Sequence, residues 1–143
     1  MPTCVIVHVL RCQRPSREDS GIALTAAKSY PSSMFAKRSA TGYVPALSGI
    51  DRKTLVHGDK TLMTEFVLRK GAVLPKHSHP HEQTGYLVRG HIRLSVGPDD
   101  YDAQAGDSWC IPGGVEHGAT ALEHAVSIEV FSPVRQDYLP GAV

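Results

Sequence analysis

Residues 77–83 read His77-Ser78-His79-Pro80-His81-Glu82-Gln83. Histidine stands at alternate positions. On an extended backbone, residues two apart share a face, so His77 and His79 can aim their imidazoles at one point. Neutral imidazole is a good ligand for zinc, iron, manganese, nickel or copper. A pair of histidines is weak by itself, because a solvated loop carries such pairs too. The chain on either side decides the matter.

Upstream, five residues separate Gly71 from His77; downstream, six residues separate Gln83 from Gly90. After a further 15 residues comes Gly106, then five residues, then Pro112-Gly113-Gly114, two residues and His117. Around these points the chain is a run of short strands and turns. Lys53–His57 and Thr61–Leu68 flank Gly58-Asp59, a hairpin signal. Leu62, Thr64, Phe66 and Leu68 alternate with Met63, Glu65 and Val67, a period of two. Gly71 is expected to open a turn that ends at Pro75. Further strands are expected over Gly85–Arg89, Ile92–Val96, Asp100–Ala103, Ser108–Ile111, His117–Thr120 and His124–Phe131, with turns at 97–99 and 112–114. Gly90 and Gly106 fall where strands turn sharply and φ > 0 is needed. No long helical period follows Ser39. The expectation is an all-β sandwich or small barrel.

Composition agrees. Thirteen glycines and ten prolines are about one residue in six of 143, against roughly 12% in average chains. A length of 143 with 41% hydrophobic residues suits one domain with a packed core. Fifteen basic against fourteen acidic residues leave +1, which argues against a nucleic-acid partner. No apolar run reaches the roughly 20 residues that span a bilayer, so no membrane partner is expected either. Three cysteines, Cys4, Cys12 and Cys110, are too few and too odd for a disulfide framework, and point to a reducing, cytoplasmic compartment. Val5–Leu10 has no basic residue before it and no cleavage site after it, so no secretory signal is expected.

Residues 1–33 differ from the rest. Ser16-Arg17-Glu18-Asp19 can cap a short helix through Ile22, Leu24 and Ala27, stopped by Pro31. Residues 1–33 are expected to be a loosely ordered extension and residues 34–143 the barrel; alternatively, Cys4–Leu10 adds an edge strand. Cys110 is expected to be a buried structural thiol.

The final strand, Ala125–Phe131, has Val126, Ile128 and Val130 on one face and Ser127, Glu129 and Phe131 on the other. Glu129 and Phe131 are expected inside, because a glutamate needs water, a ligand or a charge partner. Arg135 follows and can clamp a carboxylate with two parallel hydrogen bonds. Glu129 can move a proton. The alternative is a salt-bridged surface strand with a solvated tail.

The glycine, histidine, glutamine and proline spacing at 71–90 and 106–117 resembles the two-motif signature of the cupin superfamily. That resemblance implies an antiparallel jelly-roll barrel around one divalent ion (zinc, manganese, iron or nickel) held by His77, His79, Gln83 and His117. The family usually has glutamate where Gln83 stands and asparagine where Ala121 stands. Gln83 can ligate through its amide oxygen but brings no charge, which leaves the ion a stronger Lewis acid toward an anion. His81 falls in the turn by the motif and is expected not to ligate. The tail Glu129-Val-Phe131-Ser-Pro-Val-Arg135 is similar to the small cupins of pectin and alginate breakdown, which linearise unsaturated uronates. Their glutamine ligand matches Gln83, and their pocket residues match Glu129, Phe131 and Arg135, with aspartate in place of Glu129. The resemblance implies a metal-dependent isomerase acting on a small carboxylated sugar, with Glu129 moving the proton, Arg135 holding the carboxylate and Phe131 packing on the ring. A homodimer is expected in this superfamily. Other readings are a non-catalytic metal-dependent binding or sensing module, and an iron dioxygenase.

Overall fold

The computed structural model describes residues 34–142. The helix expected near Ile22 and the edge strand expected at Cys4–Leu10 lie outside the described residues, as does the extension itself. Among the described residues there are ten strands and one short 3₁₀ turn. The strands are β1 (Val44–Leu47), β2 (Ile50–His57), β3 (Leu62–Leu68), β4 (Val73–His77), β5 (Glu82–Arg89), β6 (His91–Val96), β7 (Asp99–Gln104), β8 (Ser108–Ile111), β9 (His117–Ala121) and β10 (Ala125–Ser132). The turn η1 covers Gln136–Tyr138. No helix among these residues is long and apolar enough to cross a membrane.

The strands form two antiparallel sheets, ordered β1-β2-β3-β10-β5-β8 and β4-β9-β6-β7. This is the jelly-roll arrangement. The β2–β3 hairpin closes at Gly58, whose N–H donates to the Thr61 carbonyl at 2.8 Å. Gly90 and Gly106 adopt φ of +87° and +102°, as the sharp turns there require.

Three readings need correction. Gly71 does open a turn, but the chain is already a strand again at Val73, so β4 occupies the place given to the turn. His77 is the last residue of β4 and His79 lies beyond it, so the two do not share one strand face. Cys110 is exposed, not buried; it is Trp109 that turns inward from β8.

The interior has two apolar clusters. The larger includes Ile50, Leu68, Leu87, Ile92, Leu94 and Ala125. The smaller is Leu62, Phe131 and Val134, joined by Tyr138 and Leu139. Along β10 the inward residues run from Ala125 through Ser127 and Glu129 to Phe131, all buried. Thr64 of β3 and Gln83 of β5 are buried beside them. A polar belt therefore lies between the two apolar clusters, which Phe66 joins on one side, and buried polar groups need partners.

Candidate metal centre

His77 and His117 face each other as a register pair of β4 and β9. His79 comes from the connection between β4 and β5. The ring centroids of His77 and His117 are 4.5 Å apart, and those of His79 and His117 are 4.9 Å apart. One ligand atom from each of the three lies within 4.8 Å of the others.

The backbone sets which nitrogen each ring presents. Nδ1 of His77 lies 3.0 Å from the Pro75 carbonyl, Nδ1 of His79 lies 3.1 Å from the His81 carbonyl, and Nδ1 of His117 lies 2.8 Å from the Val115 carbonyl. A carbonyl oxygen only accepts, so each Nδ1 carries the hydrogen and each neutral ring offers a lone pair at Nε2. Burial holds His117 and His79 below the usual histidine range, and the positive charge of Arg135 adds to this at both. Neutral rings are what a metal needs.

Two observations show that this donor set fits a cation. His117 Nε2 is buried and has no hydrogen-bond partner. His79 Nε2 lies 3.1 Å from Gln83 Oε1, so two lone-pair donors face one another. An intervening cation turns that arrangement from repulsive to attractive. His81, in the bend before β5, keeps its Nδ1 buried without a partner and is outside the cluster of three. Glu82 is exposed on the opposite face of β5 from Gln83.

Behind the ligands stands Glu129, 5% exposed, accepting a hydrogen bond of 3.0 Å from Gln83 Nε2. Burial pushes its carboxyl up to about 8, with the Gln83 hydrogen bond opposing the shift. Phe131 is only 1% exposed; its ring meets His79 at 5.7 Å and Tyr138 at 5.6 Å. The expectation that it packs on a ligand's ring is corrected: it backs His79 from the core. The guanidinium of Arg135 is paired with Asp137, Nε at 3.2 Å and Nη2 at 2.6 Å, and stacks 3.9 Å from the Tyr138 ring centroid. Arg52 stacks on the same ring, also at 3.9 Å.

Sequence reading missed Asp137, Tyr138, Thr64, Trp109 and Gly85. Gly85 is central to the belt: a Cβ there would fall on the Trp109 indole and on Glu129 Oε2. Register places Thr64, Glu129, Gly85 and Trp109 side by side across β3, β10, β5 and β8. In the sequence, the alternation that sets Thr64 on the face of Leu62, Phe66 and Leu68 carried the one sign of this.

Comparison with known proteins agrees with the geometry. The cupin domain matches residues 64–131. The pectin degradation protein KdgF of Dickeya dadantii (strain 3937) is 31% identical over 93 residues, covering 64% of this chain and 84% of that protein. The solved structure of KdgF from Halomonas sp. is 32% identical, with a TM-score of 0.66, over 68% of this chain and 92% of that one. An RmlC-like cupin from Shewanella frigidimarina NCIMB 400 is 30% identical, with a TM-score of 0.72, over 76% of this chain and 97% of that one. The chain, with its two-sheet barrel and its three converging histidines, belongs to the cupin family.

Proposed function

We propose that this cupin is a metal-dependent isomerase that linearises a small unsaturated uronate. The observation that carries the reading is the convergence of three imidazoles and the Gln83 carbonyl oxygen, close enough to Arg135 for its charge to act on His79 and His117. The similarity to KdgF supports the substrate class.

His77, His79, Gln83 and His117 hold the ion. Bound there, a divalent ion supplies a Lewis acid, undiminished by any charged ligand, that polarises a sugar oxygen. Arg135 exchanges Asp137 for the carboxylate of the sugar and fixes its orientation. The conversion itself is an isomerisation. The anomeric hydroxyl loses a proton, the ring C–O bond breaks to leave an aldehyde and an enol, and the enol carbon regains a proton as the ketone forms. Glu129 is assigned the proton. Its carboxyl is pushed up to about 8 in the metal-free chain, and the charge of a bound ion brings it back toward the carboxylate that can take up a proton.

The test is anaerobic incubation of metal-supplemented protein with a 4,5-unsaturated galacturonate, followed by the loss of its ultraviolet absorbance. Turnover without oxygen, abolished by His79→Ala, is the expected result. Absence of turnover with tight binding would favour the sensing module, and a strict need for oxygen would favour the dioxygenase.

A further inference from the structure

Gln83 offers chemically different ends to its two neighbours. Its Oε1 lies 3.1 Å from His79 Nε2, and its Nε2 donates to Glu129 Oε2 at 3.0 Å. A terminal amide turns over about its last torsion with little intrinsic preference. Turned over, it would present an NH₂ group, with no lone pair to give, to the point where the histidines converge. The restraint lies on the far side. A carboxylate has only lone pairs to offer, so the amide end that faces it is the nitrogen.

Glu129 is itself held in place. It lies in the middle of a sheet, between Thr64 of β3 and Gly85 of β5. Its Oε2 occupies space that any side chain at position 85 would take. Gln83 and Phe131 are register partners, as are Gly85 and Glu129, so the two polar side chains reach each other diagonally along neighbouring strands. Phe131 closes the same end by backing His79.

We propose that Glu129 is the positioning residue of the centre, acting through Gln83 by fixing its amide with the carbonyl oxygen toward His79. The proposal rests on the metal-centre reading above and deepens it. It couples positions 83 and 129: an amide N–H at one must meet an oxygen acceptor at the other. Two carboxylates would set acceptor against acceptor, whereas exchanging the two groups keeps one donor facing one acceptor.

The experiment titrates cobalt(II), without substrate, into the wild type, Glu129→Leu, Glu129→Gln, Gln83→Glu, the Gln83→Glu/Glu129→Gln double variant and His79→Ala. Affinity and the visible absorption of the bound ion are read, with circular dichroism as the check on folding. Glu129→Leu is expected to weaken binding by about tenfold or more and to alter the visible band. Glu129→Gln, whose side-chain oxygen still accepts from Gln83, is expected to stay within about threefold. Gln83→Glu is expected to bind more weakly, and the double variant to recover both affinity and band. Wild-type affinity and spectrum in Glu129→Leu would overturn the proposal. So would a double variant no better than Gln83→Glu, a comparison that decides the question even if Glu129→Leu does not fold. A wild type that binds no cobalt, or a His79→Ala protein that binds it equally well, would instead bring down the metal centre, and the positioning role with it.

Discussion

At the scale of single residues, the centre depends on one missing side chain. Gly85 has an ordinary negative φ, so its necessity is spatial: the indole of Trp109 and the carboxylate of Glu129 occupy the volume a methyl group would need. Both neighbours are confined, Glu129 at 5% exposure and Trp109 against the larger apolar cluster. Gly85→Ala is therefore expected to destabilise the fold by about 1–3 kcal/mol through overpacking. It should also shift the emission of Trp109, the chain's single tryptophan. Gly58→Ala, with nothing within 4 Å of its added methyl, is expected to change stability by no more than about 0.5 kcal/mol. Urea unfolding followed by tryptophan fluorescence compares the two. Equal stability for both variants would show that the belt has slack.

At the scale of elements, legibility failed at the two edge strands that contain proline, while the proline-free edges β7 and β8 were legible. β3, β5 and β10 are paired on both sides and half-buried, so they alternate cleanly and were readable from the sequence. β4 and β1 were not read as strands, and both are edges that contain a proline, Pro75 and Pro45. An edge tolerates proline and exposed side chains because one row of its backbone groups needs no partner strand. The histidine and glutamine spacing was legible because the ligands sit at strand ends and turns that the motif fixes. The strap after β10 was not, because its partners are far away in sequence. Thr54 Oγ1 donates to the Tyr138 carbonyl at 2.6 Å, and Arg52 and Arg135 enclose the Tyr138 ring. Within that strap Asp137 competes with any carboxylate for Arg135. An ion pair this open to solvent is worth up to about 1 kcal/mol. Asp137→Asn is accordingly expected to tighten binding of galacturonate by about two- to fivefold, as read by calorimetry. Weaker binding in Asp137→Asn would mean that Asp137 holds Arg135 in its working position.

At the scale of the whole molecule, the polar belt makes the metal-free barrel sensitive to pH. His79 and His117 lie below their ordinary value of 6.5 in the folded state. Between the folded and unfolded values the unfolded chain binds more protons at these two, so their effect is to lower stability as pH falls below 6.5. Glu129 works in the other sense. Its value rises from 4.5 to about 8 on folding, so across that window the folded chain binds the extra proton and stability drops as pH rises. Below 6.5 the two effects oppose each other. Above 6.5 the histidines are neutral in both states, and the Glu129 contribution acts without that opposition. The metal-free wild type is expected to lose stability from pH 6.5 to about 8 with a slope of at most about 1.4 kcal/mol per pH unit. Glu129→Gln carries no such proton, so the difference between the two proteins isolates the effect from other titrating groups. Melting temperatures in the presence of a chelator, measured at intervals from pH 6.5 to 8.5, provide the check. Parallel curves for wild type and Glu129→Gln would show that the carboxyl is ionised in the folded protein throughout, with the belt supplying more compensation than Gln83 alone. Saturation with a divalent ion should flatten the wild-type slope, because a nearby positive charge favours the carboxylate and removes the reason for holding the proton.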